Sequence, residues 1–329
     1  MVKVECFLPY LIMLVILMFL IYDIITILNR ETFKVVLVDK ESGCSSFIPD
    51  GMELNAENAD NESGYIRFLL NQGLFPNYPP VGEEINGGLP QTGNLTLHLE
   101  KFKNDVEGHK WQNYTGIISV ILSYWHHNWD LNDAAYQEKS INLSAKINGQ
   151  LNDLSMTEQI KQKAQEMFES AAKNFLLNTL KEGKALIPDA KWGLAGTPVC
   201  TNCASCTSDN SGSDWLFTTS EVAFIEVNLH NGGKIEKIAK CIESNSKIKS
   251  KHKIKVFLTT KLTYHESGDL IDENDLSKIF SQTKNLGYDG IIITIINNPR
   301  NDQFCDALKK RFDDSLEKQI KELTNDWFL

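Results

Sequence analysis

The stretch Gly116-Ile117-Ile118-Ser119-Val120-Ile121-Leu122-Ser123-Tyr124-Trp125-His126-His127-Asn128-Trp129 gathers the side chains best suited to chemistry. It reads as an apolar strand running out into a loop of aromatic residues and histidines. In a barrel enzyme the loop after a strand is where catalytic groups sit. His126 and His127 can serve as a general base or ligate a metal, or can be ordinary polar loop residues. Asp130, just beyond, can reach the barrel mouth or cap a helix start. Between Gly116 and Trp129 there is no Asp or Glu. A second grouping, Cys200-x-x-Cys203-x-x-Cys206, has the form of three metal thiolates. No fourth Cys or His stands at zinc-like spacing, so disulfide chemistry fits it better. We expect no metal and no cofactor.

These groups need a fold to position them. The chain has 329 residues, 42% hydrophobic and 23% charged, which suits one large domain with a full core. The formal net charge of −10 repels polyanions, which excludes nucleic acid as a partner. Strand candidates are Phe33–Val38, Tyr65–Leu70, Gly116–Leu122, Ala190–Ala195, Val222–Leu229, Lys253–Thr259 and Gly290–Thr294. Several are continuous apolar runs, as in strands buried on both faces of a parallel sheet. Helical spacing marks Leu95–Val106, Thr157–Leu186, Lys234–Ser244, Glu273–Leu286 and Gln303–Leu323. Glu41–Ser63 and Cys200–Asp214 read as loops. Seven strands alternating with helices predict an α/β fold, a distorted (β/α) TIM-like barrel.

The apolar run Phe7–Leu28 behind Lys3 reads as a signal peptide or an uncleaved signal-anchor. The expected organisation is therefore residues 1–30 as that leader and 31–329 as the barrel, secreted or membrane-anchored only through the leader. Sequons at Asn61, Asn94, Asn113 and Asn142 suit an extracellular glycoprotein. Of the seven cysteines Cys6 lies in the leader, and the other six, which include Cys241, allow three disulfides.

Asn86-Gly87-Gly88-Leu89-Pro90-Gln91-Thr92-Gly93-Asn94-Leu95 is a distinctive string: its glycines and proline fix a tight turn and a helix follows. Together with Asn71-Gln72-Gly73-Leu74-Phe75-Pro76, Phe175 through Lys184, Trp192-Gly193 with Pro198 and Cys200, Asp214-Trp215-Leu216-Phe217, Gly287-Tyr288-Asp289-Gly290 and Cys305-Asp306-Ala307-Leu308, it resembles the animal and venom hyaluronidase family, from about Phe33 to the C-terminus. The resemblance implies a barrel of about seven strands with a substrate groove across its C-terminal face. It also implies a disulfide from Cys44 to Cys305 and another from Cys200 to either Cys203 or Cys206; Cys241 can pair with the cysteine left over.

The resemblance implies substrate-assisted chemistry as well: the sugar's acetamido group attacks its own anomeric carbon, a Glu protonates the leaving oxygen, and an Asp two residues earlier supports it. Aromatic residues position the acetamido group. In this chain the Asp position falls at Ile121 and the Glu position at Ser123. Expected tyrosines fall at Ala195 and Asn228, an expected tryptophan at Thr294, and an expected Arg near His126. Glycoside hydrolysis needs a carboxylic acid. The candidate substitutes are Glu226, on the same strand face as Asn228, and Asp130. Trp125 and Trp129 can stack on sugar or pack over the barrel mouth. The reading is a secreted or membrane-anchored hyaluronidase-like protein without hydrolase activity, whose partner is a glycosaminoglycan, another glycan or a protein. The alternative is an active endo-N-acetylhexosaminidase with altered catalytic residues.

Overall fold

The computed structural model describes residues 33–39, 53–56, 65–79, 82–147, 157–196, 199–200, 214–230, 235–264, 267–295 and 302–324. Chain contacts separate Met1–Phe33 from Lys34–Leu329, and every described element belongs to the second unit. Its strands are β1 (Lys34–Asp39), β2 (Glu53–Ala56), β3 (Ile66–Leu70), β4 (Ile117–Ile121), β5 (Lys191–Leu194), β6 (Val199–Cys200), β7 (Val222–Val227), β8 (Lys255–Lys261) and β9 (Gly290–Ile295). The helices are α1 (Leu95–Gly108), α2 (Ala134–Ile147), α3 (Thr157–Leu186), α4 (Asp214–Phe217), α5 (Ile235–His252), α6 (Glu273–Asn285), α7 (Asp302–Arg311) and α8 (Glu317–Thr324). A π-helical turn, Phe312–Leu316, joins the last two.

All strand pairs within the sheet are parallel, in the order β2-β1-β9-β8-β7-β5-β4-β3, with β6 beside β7. Side chains on alternate strand positions point to opposite faces, and here both faces are covered. One set meets inside: Val36 and Val38 of β1, Ile66 of β3, Ile117 of β4, Val222 and Phe224 of β7, Phe257 of β8 and Ile292 of β9 form one buried cluster. Strands near opposite ends of the sheet thus share a core, so the sheet curls into a barrel wall. The other set packs outward: Ile118, Val120, Trp192 and Leu194 lie against Phe102 and Val106 of α1 and Phe168, Ala172 and Leu176 of α3. This double burial explains the unbroken apolar runs of the strands.

The seven expected strands are the seven staves of this distorted TIM-like barrel. Two short strands add to them. Glu53–Ala56, which the sequence pattern assigns to a loop, pairs with β1. Val199–Cys200 resumes the line of β5 along β7 after a break at Ala195 and Gly196. Helix α2 also lies outside the expected set. It begins behind Asp133, whose Oδ1 accepts from the Tyr136 N–H at 3.0 Å, an N-cap readable from Asn132-Asp133 in the sequence. The C-terminal helix is three contiguous helical pieces rather than one.

The strings that carry the family resemblance fold into structural joints. Asn86 donates to the Leu74 carbonyl at 2.7 Å and accepts from the Asn94 N–H at 2.8 Å, sewing the two Asn-Gly strings together. His98 of α1 accepts from the Leu74 N–H at 3.0 Å and meets the Thr179 hydroxyl of α3 at 2.8 Å. Gly73 passes so close to this ring that a Cβ would lie 2.7 Å from it, at φ +87. In the Gly-Tyr-Asp-Gly string, Asp289 accepts from Lys249 and from the Val256 N–H, each at 2.8 Å, and Tyr288 donates to Ile242 at 2.7 Å.

Candidate functional site

Because the staves are parallel, they end at one mouth, where a barrel's functional residues collect. The inward-facing positions there are Ile121 of β4, Glu226 of β7 with Asn228 just beyond it, Thr259 and Lys261 of β8, and Thr294 of β9. The register aligns Val38, Thr294 and Lys261 across three strands, and pairs Glu226 with Thr259 one layer deeper. Together with Ala195 and Gly196 these residues line a cavity of about 130 Å³ over an apolar floor of Phe68, Phe224 and Ile292.

Of the six positions assigned by resemblance four therefore come together: Ile121, Ala195, Asn228 and Thr294 line one cavity, while Ser123 and His126 lie outside its lining. Ser123 does not join them. Strand β4 ends at Ile121, and Ser123 is exposed, its backbone N–H donating to Asn71 Oδ1 at 2.9 Å. Asn71 holds this turn from both sides, since its own N–H donates to the Ile121 carbonyl at 2.9 Å.

Among the described residues Glu226 is the one carboxylate lining the cavity. Its Oε1 accepts from Asn228 Nδ2 at 2.9 Å. Its Oε2 lies 3.0 Å from where a Cβ on Gly196 would stand, so the absence of a side chain there leaves room around the carboxylate. Asp130 takes no part in the cavity. It is exposed in a short 3-10 turn, Trp129–Leu131, where Asn128 accepts from its N–H at 2.9 Å.

The two histidines lie in the wall of the loop rather than in the cavity lining. Their rings sit 4.3 Å apart, and His127 meets Trp215 edge-on at 5.4 Å. His126 Nδ1 accepts from the Asn128 N–H at 3.0 Å, which places the proton of the neutral ring on Nε2. Burial pushes the His126 pKa down to about 4, against the backbone groups of Gly196 and Asn128, which push it up. Burial, with His126 beside it, takes His127 down to about 3. Both rings are neutral at neutral pH. Trp125 and Trp129 are packing residues: both are buried, both meet Phe168 edge-on, and Trp125 donates to the Pro76 carbonyl at 2.7 Å. Their burial corrects the alternative of stacking on sugar.

Among the described residues no group of three His, Cys, Asp or Glu is placed to hold a metal. Cys203 and Cys206 lie outside the described residues, as do Cys44 and Asn61. Cys200 is in β6, and Cys241 and Cys305 are each disulfide-bonded. Asn94 is exposed as the N-cap of α1, Asn113 is exposed before β4, and Asn142 is exposed on α2 two residues before the buried Ser144. Among the described residues no helix is long and apolar enough to cross a membrane, and the Phe7–Leu28 run lies outside them.

Lys261 and Thr259 are site residues that the sequence pattern did not single out. Period-two alternation from the apolar Phe257 points both inward, but ending the strand at Thr259 hid Lys261.

Comparison with known proteins agrees with this architecture. The hyaluronidase family model matches residues 52–327. Hyaluronidase of Polistes annularis is 29% identical over 69% of this chain and 68% of its own length. Salivary hyaluronidase of Lutzomyia longipalpis is 33% identical over 55% of this chain and 54% of its own length. The crystal structure of bee venom hyaluronidase in complex with a hyaluronic acid tetramer matches with a TM-score of 0.71 at 21% identity, covering 88% of this chain and 99% of that one. With the family model spanning most of the residues and the barrel matched along its length, this chain belongs to the hyaluronidase family.

Proposed function

We propose that this chain is a hyaluronidase-family barrel without hydrolase activity, an extracellular glycoprotein that uses the mouth of the barrel to bind a glycan. The observation that carries this reading is the composition of the cavity. Where the family's chemistry needs a proton donor with a supporting carboxylate, the wall holds Ile121 and the chain then turns out to an exposed Ser123. Without an acid placed at the leaving oxygen, the glycosidic bond is not protonated. The groups that remain, Asn228, Thr259, Thr294 and Lys261, are binding groups: hydroxyl, amide and ammonium. The test is a reducing-end assay on hyaluronan and chondroitin with purified protein. The expected outcome is no turnover above a heat-treated control.

One observation favours a second reading, an active endo-N-acetylhexosaminidase of altered mechanism. Glu226 does face the cavity. If it supplies the acid, turnover is present in the parent and is lost in Glu226→Gln. Secretion or anchoring through Phe7–Leu28, glycosylation at Asn61, Asn94, Asn113 and Asn142, a Cys44–Cys305 bridge, and pairing of Cys200 with Cys203 or Cys206 complete the proposal. Non-reducing peptide mapping of protein recovered from the medium or from membranes tests them together.

A further inference from the structure

This inference rests on the cavity being a sugar-binding site and names the kind of sugar it takes. The cavity of about 130 Å³ is small. A single water needs roughly 10–15 Å³ by the same measure, so the space matches on the order of ten such atoms, the room of one hexose ring.

Its charges are few and defined. Glu226 lies on the deeper layer, level with Thr259, and Lys261 lies one layer nearer the mouth, level with Thr294 and Val38. The two line the same cavity, yet no ion pair joins them among the described residues. Glu226 has a single hydrogen-bond donor there, Asn228 on Oε1. An ionised carboxylate offers about four acceptor sites over two oxygens. Oε2 is left facing the space beside Gly196, where no side chain intervenes. The floor below is Phe68, Phe224 and Ile292, whose side chains offer no donor. A ligand that enters must therefore bring a donor to Glu226. An ammonium does this best, because a charge-assisted hydrogen bond is about twice as strong as a neutral one. A ligand carboxylate at the same point meets a like charge, and an acetamido group there offers Oε2 only a neutral N–H, about half the strength of the charge-assisted bond. Lys261, nearer the mouth, faces the ligand's hydroxyl or ring oxygens.

We propose that the cavity selects a hexosamine with a free amine, held through Glu226, over N-acetylated or uronate-bearing sugars. The position is a specificity determinant in this chain and involves no bond making or breaking.

Isothermal titration of the full chain at physiological ionic strength and mildly acidic pH tests this with three probes: a glucosamine tetramer, an N-acetylglucosamine tetramer and a hyaluronan tetramer. The expected result is that the glucosamine tetramer binds about tenfold or more tighter than the other two, the factor of one charge-assisted hydrogen bond. Glu226→Gln keeps the shape and the Asn228 contact, and is expected to erase the preference with an unchanged melting temperature. Equal or tighter binding of the N-acetylated or hyaluronan probe overturns the inference while leaving the binding reading intact. A preference that survives in Glu226→Gln also overturns it, since the net charge of −10 would then be collecting the cation without the cavity. If none of the three probes binds, both the inference and the binding reading fall.

Discussion

Two regions of this barrel carry histidines in opposite circumstances. In the layer between the sheet and the helices, His98 is fully buried and both ring nitrogens are used, one by Leu74 and one by Thr179. The Thr179 hydroxyl in turn donates to the Phe175 carbonyl at 2.8 Å, so the ring must donate to it and the tautomer is fixed. At the mouth, His126 is bonded on Nδ1 by Asn128. Its buried Nε2, although near enough to the Gly196 backbone for that group to raise its pKa, makes no hydrogen bond of ordinary geometry among the described residues. Ser119 Oγ, buried inside the barrel two residues before Ile121, shares that condition. Buried polar groups are nearly always paired. The His98 joint obeys that rule, although Asn77 Oδ1 and Gln91 Oε1 beside it do not, and His126 and Ser119 at the mouth depart from it. Folding uses both ring nitrogens of His98, whereas it leaves His126 Nε2 and Ser119 Oγ open.

The comparison breaks most directly at His98. Replacing it with Leu strands the Leu74 N–H and leaves a poorer fit beside Phe75, Phe102 and Phe175. The expected cost is about 3–5 kcal/mol, read as a lower midpoint in urea with an unchanged slope. A loss below about 1 kcal/mol would mean that this joint is not what the fold depends on.

Acid offers the next largest effect, and its sign can be worked out. Burial lowers the His98 pKa from 6.5 to about 4, offset in part by the Leu74 backbone and Asp105. Between those values the unfolded chain binds a proton that the folded one does not, so stability falls as the pH falls. His98 alone contributes about 3 kcal/mol of loss across that window, and nothing further below it. His126 and His127 add to the same slope, His127 down to about pH 3. Thermal melts across this range should show the decline, and His98→Gln should flatten it. A slope unchanged in His98→Gln would move the acid sensitivity to the mouth.

How much of this was legible from residues alone follows the same division. The staves were legible because burial on both faces writes near-continuous apolar runs into several of them, as in Gly290–Ile295. Helix α2 was not, because Ala134–Ile147 buries two serines and an alanine besides Tyr136, so its inner face carries almost no apolar pattern. At the mouth, positions within a strand or one residue past its end transferred well: Ile121, Ala195, Asn228 and Thr294 all meet in one cavity. Ser123, two residues past the end of β4, did not, and it turned outward because Asn71 bends the chain there. The fates of Trp125 and Trp129 were also hidden, since packing against Phe168 and stacking on a ligand call for the same residue type.

Restoring a carboxylate sharpens the contrast at smaller cost. Ile121→Asp would place a charge beside Phe68 and Phe224 in the cavity that already holds Glu226. The expected destabilisation is about 1–3 kcal/mol, from burial of the new charge near another of the same sign. Combined with Ser123→Glu it is expected to give no hydrolysis, because the second carboxylate starts from an exposed turn outside the cavity. Turnover by the double variant in a reducing-end assay would show that the rest of the site had stayed catalytically competent.

The smallest effects belong to the binding groups themselves. Asn228→Ala removes the single described donor to Glu226, and about 1 kcal/mol or less of stability is expected to go with it. Thr294→Val keeps the shape of the side chain and removes a hydroxyl from the cavity wall. No hydrogen bond of that hydroxyl contributes to the wall among the described residues, so the expected change in unfolding free energy lies within about 0.5 kcal/mol. Ligand affinity is expected to respond more than stability does, because a hydroxyl without a protein partner is still available to a sugar. A Thr294→Val variant that loses stability while binding as before would place the mouth with the outer layer, among the parts of this barrel that exist to be folded.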